Sequence, residues 1–314
     1  MPTFIRATEV WLPSADGTLL EFGAGLFGDA RHFGAISRQM CFGRGEGLPG
    51  QAWDEGRPVL LKEFVGSNFR RTAAARAAGL VCAVAVPVFV GDALTAVLVF
   101  FFGDEAAHKG AIELWRNNPR VTTDMTLVDG RYGEGAAALA ALSRETFLPR
   151  GTGLPGTAWQ RGAAVFIEDL GQSTRFLRGE SATDAGVHRG LAIPCTTRAH
   201  EHHVLTLLAA KDTPIALRIE SWSPDGGTPA RLQRNFGFCE VTGRLPASTD
   251  GVMLEAAGGC VARSFFGGVP TLSDNAAAEP GAIGASAGQC AASTLVALPV
   301  IAEGVVVETL VLYF

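Results

Sequence analysis

The feature that most constrains this chain is that it repeats itself. The block Gly45-Glu46-Gly47-Leu48-Pro49-Gly50-Gln51-Ala52-Trp53 returns as Gly151-Thr152-Gly153-Leu154-Pro155-Gly156-Thr157-Ala158-Trp159, identical at seven of nine positions. Each block follows an earlier marker, Glu9-Val10-Trp11 and Glu113-Leu114-Trp115, and the marker appears a third time as Glu220-Ser221-Trp222. Further along, Ala85-Val86-Pro87, Ala192-Ile193-Pro194 and Ala297-Leu298-Pro299 keep the same order. A period of roughly a hundred residues means one unit of structure used three times. The third copy has decayed to Ala257-Gly258-Gly259-Cys260-Val261-Ala262-Arg263-Ser264-Phe265 at the Gly-Pro block, yet keeps Gly268-Val269-Pro270 where the first has Gly56-Arg57-Pro58. Each copy ends in a strand-like run and the next begins almost at once, which sets the expected units at 1–107, 108–213 and 214–314.

Within the first copy, Ala7 to Leu12 and Thr18 to Phe22 read as strands across Ser14-Ala15-Asp16-Gly17, whose Asp-Gly suits a tight turn. Asp29 to Met40 is a helix candidate, with Phe33, Ile36 and Met40 at helical spacing. The Gly-Pro block reads as a loop, Gly47 and Gly50 permitting positive φ and Pro49 stiffening it. Val59 to Lys62 is a short strand, and Asn68 to Ala78 a second helix stopped by Gly79. Val81 to Val88 and Leu94 to Phe102 form a closing hairpin; both are apolar on both faces and need cover on both sides.

This order, with Gly47-Leu48-Pro49-Gly50-x-Ala52-Trp53 ahead of Gly56-x-Pro58 and Ala85-Val86-Pro87, resembles a GAF domain. In the second copy Gly153 to Trp159, Gly162 and Ala192-Ile193-Pro194 carry the same likeness. The expected fold class is therefore α+β: three GAF-like modules, each a mostly antiparallel sheet flanked by short helices, the third degenerate. Members of that family usually carry long helices beside the sheet. Here strand follows strand, which implies that neighbouring copies or a second chain cover the face those helices protect. The resemblance also implies a small-molecule pocket between the sheet and the stretch from the Gly-Pro block to the second helix. Its candidate ligand residues are Asn68, Phe69, Arg70 and Arg71 in the first copy and Arg175, Phe176, Arg178 and His188 in the second. A guanidinium beside an aromatic ring suits a carboxylate or phosphate. The plainer alternative is that Arg71 and Arg178 cap a helix or pair with Glu63 and Asp169 at the surface.

With 47% hydrophobic and 18% charged residues and a net charge of -5, the chain should fold and presents no cationic field for nucleic acid or anionic lipid. The N-terminus lacks a secretion signal, and the longest apolar run, Ala96 to Phe102, is too short to span a bilayer, so a cytoplasmic location is expected. The six cysteines form no C-x-x-C pair. The run His200-Glu201-His202-His203 reads as a solvated hairpin tip rather than a metal site. No catalytic motif is present, so neither an enzyme, a cofactor nor a bound metal is expected. The expected function is a cytosolic small-molecule-sensing or regulatory binding protein of the signal-transduction type. Its ligand would be a small anionic or aromatic metabolite, and it would self-associate or act through a partner protein. The alternatives are a ligand-free interaction scaffold and a sulfoxide-reductase-type redox enzyme, a chemistry some members of the family carry out with clustered cysteines.

Overall fold

The computed structural model describes residues 1–103, 109–197, 201–226, 231–246, 248–253 and 258–314. The first module holds β1 (Ile5–Pro13), β2 (Leu19–Leu26), α1 (Arg31–Ser37), β3 (Cys41–Gly43), α2 (Gly47–Glu55), β4 (Val59–Leu61), α3 (Thr72–Ala77), β5 (Leu80–Val90) and β6 (Ala93–Gly103). The second holds β7 (Gly110–Asn117), β8 (Met125–Tyr132), α4 (Ala137–Glu145), β9 (Phe147–Leu148), α5 (Gly153–Arg161), β10 (Val165–Ile167), α6 (Gly179–Asp184), β11 (Arg189–Cys195) and β12 (His202–Ala209). The third holds β13 (Arg218–Pro224), β14 (Arg231–Cys239), β15 (Gly243–Leu245), β16 (Ser248–Met253), α7 (Gly259–Gly267), β17 (Thr271–Ser273), a 3-10 turn (Ala276–Ala278), α8 (Ala282–Cys290), β18 (Leu295–Ala302) and β19 (Val305–Tyr313).

Three separate sheets result, ordered β3-β2-β1-β6-β5-β4, β9-β8-β7-β12-β11-β10 and β15-β14-β13-β19-β18-β17, with β16 added against β14. The strand order is the same each time. In each, the first long strand pairs antiparallel with the last, as β1 does with β6, β7 with β12 and β13 with β19. The chain is three tandem α+β modules built on one strand order.

The Gly-Pro block is not a loop but the start of a nine-residue helix, α2, repeated as α5 and, despite the decayed sequence, as α7. Pro49 sits in the first turn, where a backbone N–H has no partner within the helix and its loss costs little. Gly47, Gly153 and Gly259 open these helices at positive φ, 57°, 67° and 87°. Gly50 serves otherwise: its φ is not positive, and a Cβ there would collide with the Gly43 carbonyl oxygen. The expected flanking helices are shorter than their apolar spacing suggested, α1 covering Arg31–Ser37 and α3 Thr72–Ala77, so Asn68, Phe69 and Arg70 precede the helix.

What the sheets pack against follows from period-two alternation. On β6, Val97, Val99 and Phe101 face the module's own helices, while Ala96, Leu98, Phe100 and Phe102 face away. The same split separates Val204 and Leu208 from Leu205, Leu207 and Ala209 on β12, and Val311 and Tyr313 from Leu310 and Leu312 on β19. The outward sets from all three modules join one buried cluster with Ile5, Ile112 and Ile219. Each sheet is thus covered on one face by short helices and on the other by its two neighbours, which is why its central strands carry apolar residues on both sides.

The seams between modules are also polar. Thr95 Oγ1 donates to the Gly268 carbonyl at 2.7 Å, the Ala164 N–H donates to Glu308 at 2.6 Å, and the Phe89 N–H donates to Thr196 at 3.0 Å. The glycines that end α5 and α7 lie here. Gly162 and Gly268 are left-handed, φ 59° and 58°, and added Cβ atoms would sit 3.1 Å from Ala302 and 2.5 Å from Val90 of the neighbouring module.

Candidate functional site

The repeated Glu-x-Trp marker is a buried charge. At each copy the first strand shifts register immediately before the tryptophan, between Val10 and Trp11, Leu114 and Trp115, and Ser221 and Trp222. A bulge of this kind re-aims the side chains beside it, and Glu9, Glu113 and Glu220 are turned into the module interiors, fully buried. Each carboxylate accepts the indole N–H two residues on, at 3.0, 2.9 and 3.1 Å. A buried carboxylate is tolerated only when paired and hydrogen-bonded, and each module provides both.

In the first, Arg71 makes a two-pronged contact with Glu9, its Nη2 at 3.0 Å from Oε2, and also donates to Ser37. In the second, Arg178 does the same with Glu113, Nη2 at 3.1 Å, beside Ser143, and Tyr132 adds a hydroxyl donor at 2.8 Å. In the third, the cations come from elsewhere: Glu220 is contacted by Arg218 on β13 at 2.6 Å and by Arg234 on β14 at 3.0 Å, with Ser286 and Tyr313 completing the shell. Burial would push the Glu113 carboxyl up, but Arg178, aided by donors from Trp115 and Tyr132, outweighs it and holds the group below its ordinary value. The Tyr132 and Tyr313 phenols are pushed up, first by burial and then by the carboxylates they face.

Arg71 and Arg178 therefore do not pair at the surface with Glu63 and Asp169; Asp169 pairs with Lys211 at 3.3 Å instead. Phe69 lies stacked on Phe64 at 4.1 Å and Phe176 packs in the second module's core, each with an arginine over its ring at 5.2 and 4.8 Å. The space expected to form a pocket in the first module is filled by Trp11, Phe33, Phe64, Phe69 and Phe101 around the ion pair. Asn68 and Arg175 are exposed, and Arg70 is bound to Glu46 at 2.6 Å. His188 sits half-buried before β11, its pKa lowered by burial and by Lys211; it lines neither cleft described below. The structure thus gathers Phe69 with Arg71 and Phe176 with Arg178, and leaves the other four outside those interiors.

Two open spaces among the described residues lie between modules. A cleft of about 840 Å³ separates the first and third, with Phe27, Arg31 and Arg38 on one side and Leu217, Asp274 and Phe314 on the other. A second, of about 480 Å³, draws Phe89 from the first module, Arg150, Trp159 and His203 from the second, and Ile301 and Glu303 from the third. The histidine run was expected at a solvated tip, but His202 and His203 begin β12, and His203 is 3% exposed with neither ring nitrogen partnered among the described residues. Leaving such a group unpaired costs about 1–3 kcal/mol. Burial, then Arg57 and Arg116, press its pKa down to about 4, so it stands neutral at pH 7. His200 lies outside the described residues.

All six cysteines are free, and burial pushes the Cys195 and Cys260 thiols up to about 12 and about 11, away from the thiolate form that nucleophilic chemistry needs. Sequence reasoning missed Glu9, Glu113 and Glu220, treating them as markers only; the available signal was a carboxylate recurring at one position of an otherwise apolar strand. It also missed Ser37, Ser143 and Ser286, which nothing but proximity joins to the carboxylates.

No protein-family model matches the chain, and no curated protein matches it. Solved structures similar to parts of it include a GAF domain of A. aeolicus nlh2 in an inactive state, 18% identical over 32% of this chain and 59% of that one, TM-score 0.26. Another is a GAF domain/HD domain protein from Geobacter sulfurreducens, 15% identical over 34% of this chain and 66% of that one, TM-score 0.27. A third is a Staphylococcus aureus NreA protein mutated in its nitrate binding site, 15% identical over 35% and 81%, TM-score 0.28. The chain spans less than two thirds of the length of the first two.

Proposed function

We propose that this chain of three GAF-like modules is a regulatory binding protein that senses a small molecule at the clefts between modules rather than inside one. The observation that carries this reading is where polarity is already satisfied and where it is not. Inside the modules Arg71, Arg178 and Arg218 are held by buried carboxylates, whereas both ligand-sized clefts take their walls from more than one module. A ligand seated there binds the assembled arrangement and not the separated modules, so occupancy stabilises one relative placement of the three. The raised thiols favour recognition over cysteine chemistry, and six free cysteines suit a reducing cytoplasm. Among the described residues no helix is long and apolar enough to cross a membrane.

Thermal-shift screening of the full chain against a broad metabolite library tests the proposal. A hit that raises the melting temperature, and loses its effect on Arg38→Ala or Arg150→Ala, is the expected result. A library without hits, or hits indifferent to both substitutions, contradicts it.

A further inference from the structure

The three modules repeat one another closely enough that each cleft residue can be compared with its counterparts, and two of the comparisons point to a ligand. The first concerns Arg150. Its counterpart in the first module, Arg44, is neutralised by Asp54 at 2.8 Å. In the second module the place of Asp54 is taken by Gln160, as the repeated blocks align, and Arg150 has no carboxylate partner among the described residues. Its guanidinium lies instead 5.7 Å from the centre of the Trp159 ring, and the His202 ring stands 5.5 Å from the same indole, tilted by 37°.

The second concerns His203. By strand register it stands opposite Cys195, as Ala96 stands opposite Val88 and Glu308 opposite Val300. Ala96 asks for no partner, and Glu308 has two, the Ala164 N–H and the Ser221 hydroxyl. His203 alone of the three carries polar atoms, buried at a seam, with no partner among the described residues. Arg57, Arg116 and His202 are the charged or titratable groups facing it; burial first, and these after it, oppose a proton on the ring and leave it with one N–H to give and one lone pair to fill.

We infer that the smaller cleft is a binding site for a flat heteroaromatic carboxylic acid: the carboxylate on Arg150, the ring against Trp159 and His202, and a polar ring atom on His203. All of these anchors line the one cleft. Arg150 offers a forked cation without a competing acid, the indole offers a face, and the neutral imidazole offers a hydrogen bond that a charged head group would not need. Two acids line the cleft: Glu201 is engaged by Asn118 at 2.8 Å, and Glu303 stands on the third module's wall; Thr196 is engaged by the Phe89 N–H, so Glu201 and Thr196 do not compete for the ligand.

This rests on the reading that the clefts bind ligands, and the experiment separates the two. The full chain is titrated by calorimetry with nicotinate, picolinate, orotate and indole-3-carboxylate, each beside its uncharged amide. At least one acid is expected to bind one-to-one at micromolar to millimolar concentration and its amide roughly tenfold or more weaker. Gln160→Asp, which restores the acid that the first module already has, is expected to weaken the acid by a similar factor without changing the melting temperature; Arg150→Gln does the same. Arg44→Gln leaves binding unchanged. If acid and amide bind alike, if none of the acids binds at millimolar concentration, or if Gln160→Asp and Arg150→Gln leave affinity intact, the inference is overturned. A ligand lost on Arg38→Ala instead would overturn it while leaving sensing at the larger cleft standing.

Discussion

The interiors of the second and third modules solve one problem with different residues. Both bury a carboxylate two residues before a tryptophan at a bulge, and both give it an indole N–H, a serine hydroxyl and a phenol. In the second module the cation arrives from the segment before α6 and the phenol from β8; in the third, Arg218 and Arg234 come from β13 and β14 and the phenol from β19. What is held constant is neutrality and hydrogen bonding around the acid, not the direction from which they come. A ligand site would demand fixed geometry, whereas this constellation tolerates exchange of its parts. It behaves as a structural anchor, and the places where the copies differ without compensation, Arg150 and His203, lie at a seam.

The largest effect should come from unpairing the anchor. Glu113→Ala leaves Arg178 buried and alone and is expected to remove about 3–5 kcal/mol of stability, read by urea unfolding. Replacing both partners, Glu113→Leu with Arg178→Met, should lose less than either single change. A double variant as damaged as the sum of the singles would mean that the two side chains do not compensate one another.

Next in size is the pH response of His203. Its folded pKa of about 4 lies below its ordinary 6.5, so between these values the unfolded chain holds the extra proton. Its contribution is fully present above pH 6.5 and is lost as pH falls towards 4, by up to about 3 kcal/mol. His203→Leu should flatten that part of the stability curve relative to the parent, and at pH 7 should stabilise the protein by about 1 kcal/mol by removing the unpaired nitrogens. A smaller effect is expected at the other seam: Gly268→Ala combines a left-handed backbone with a clash against Val90 and should lose about 1–3 kcal/mol. Smallest is Arg150→Gln, exposed and without a carboxylate partner among the described residues, which should move stability by less than about 0.5 kcal/mol. A larger loss would show Arg150 to be structural.

Much of this architecture was legible in the residues because repetition reports itself. The closing hairpin and its apolar faces needing cover could be read from β5 and β6 alone. The Gly-Pro block was misread because Gly47, Pro49 and Gly50 break helices in general, yet here they occupy a first turn where neither a donor nor bulk is wanted. The arginines were singled out beside Phe69 and Phe176 as ligand residues, but sequence could not say that Glu9 and Glu113, more than sixty positions away, already hold them. His203 was hidden by its neighbours: a run of polar residues suggests a turn, and only strand register turns the last of them inward.

The central claim is that the three modules are one folding unit, because among the described residues each sheet's second face is covered by the other two. Native-state hydrogen exchange across a urea series, followed at the amides of Phe100, Leu207 and Leu312, tests it most directly. The account predicts that all three lose protection together, with one free energy and one urea dependence. Three amides opening at separate urea concentrations with separate free energies would contradict it.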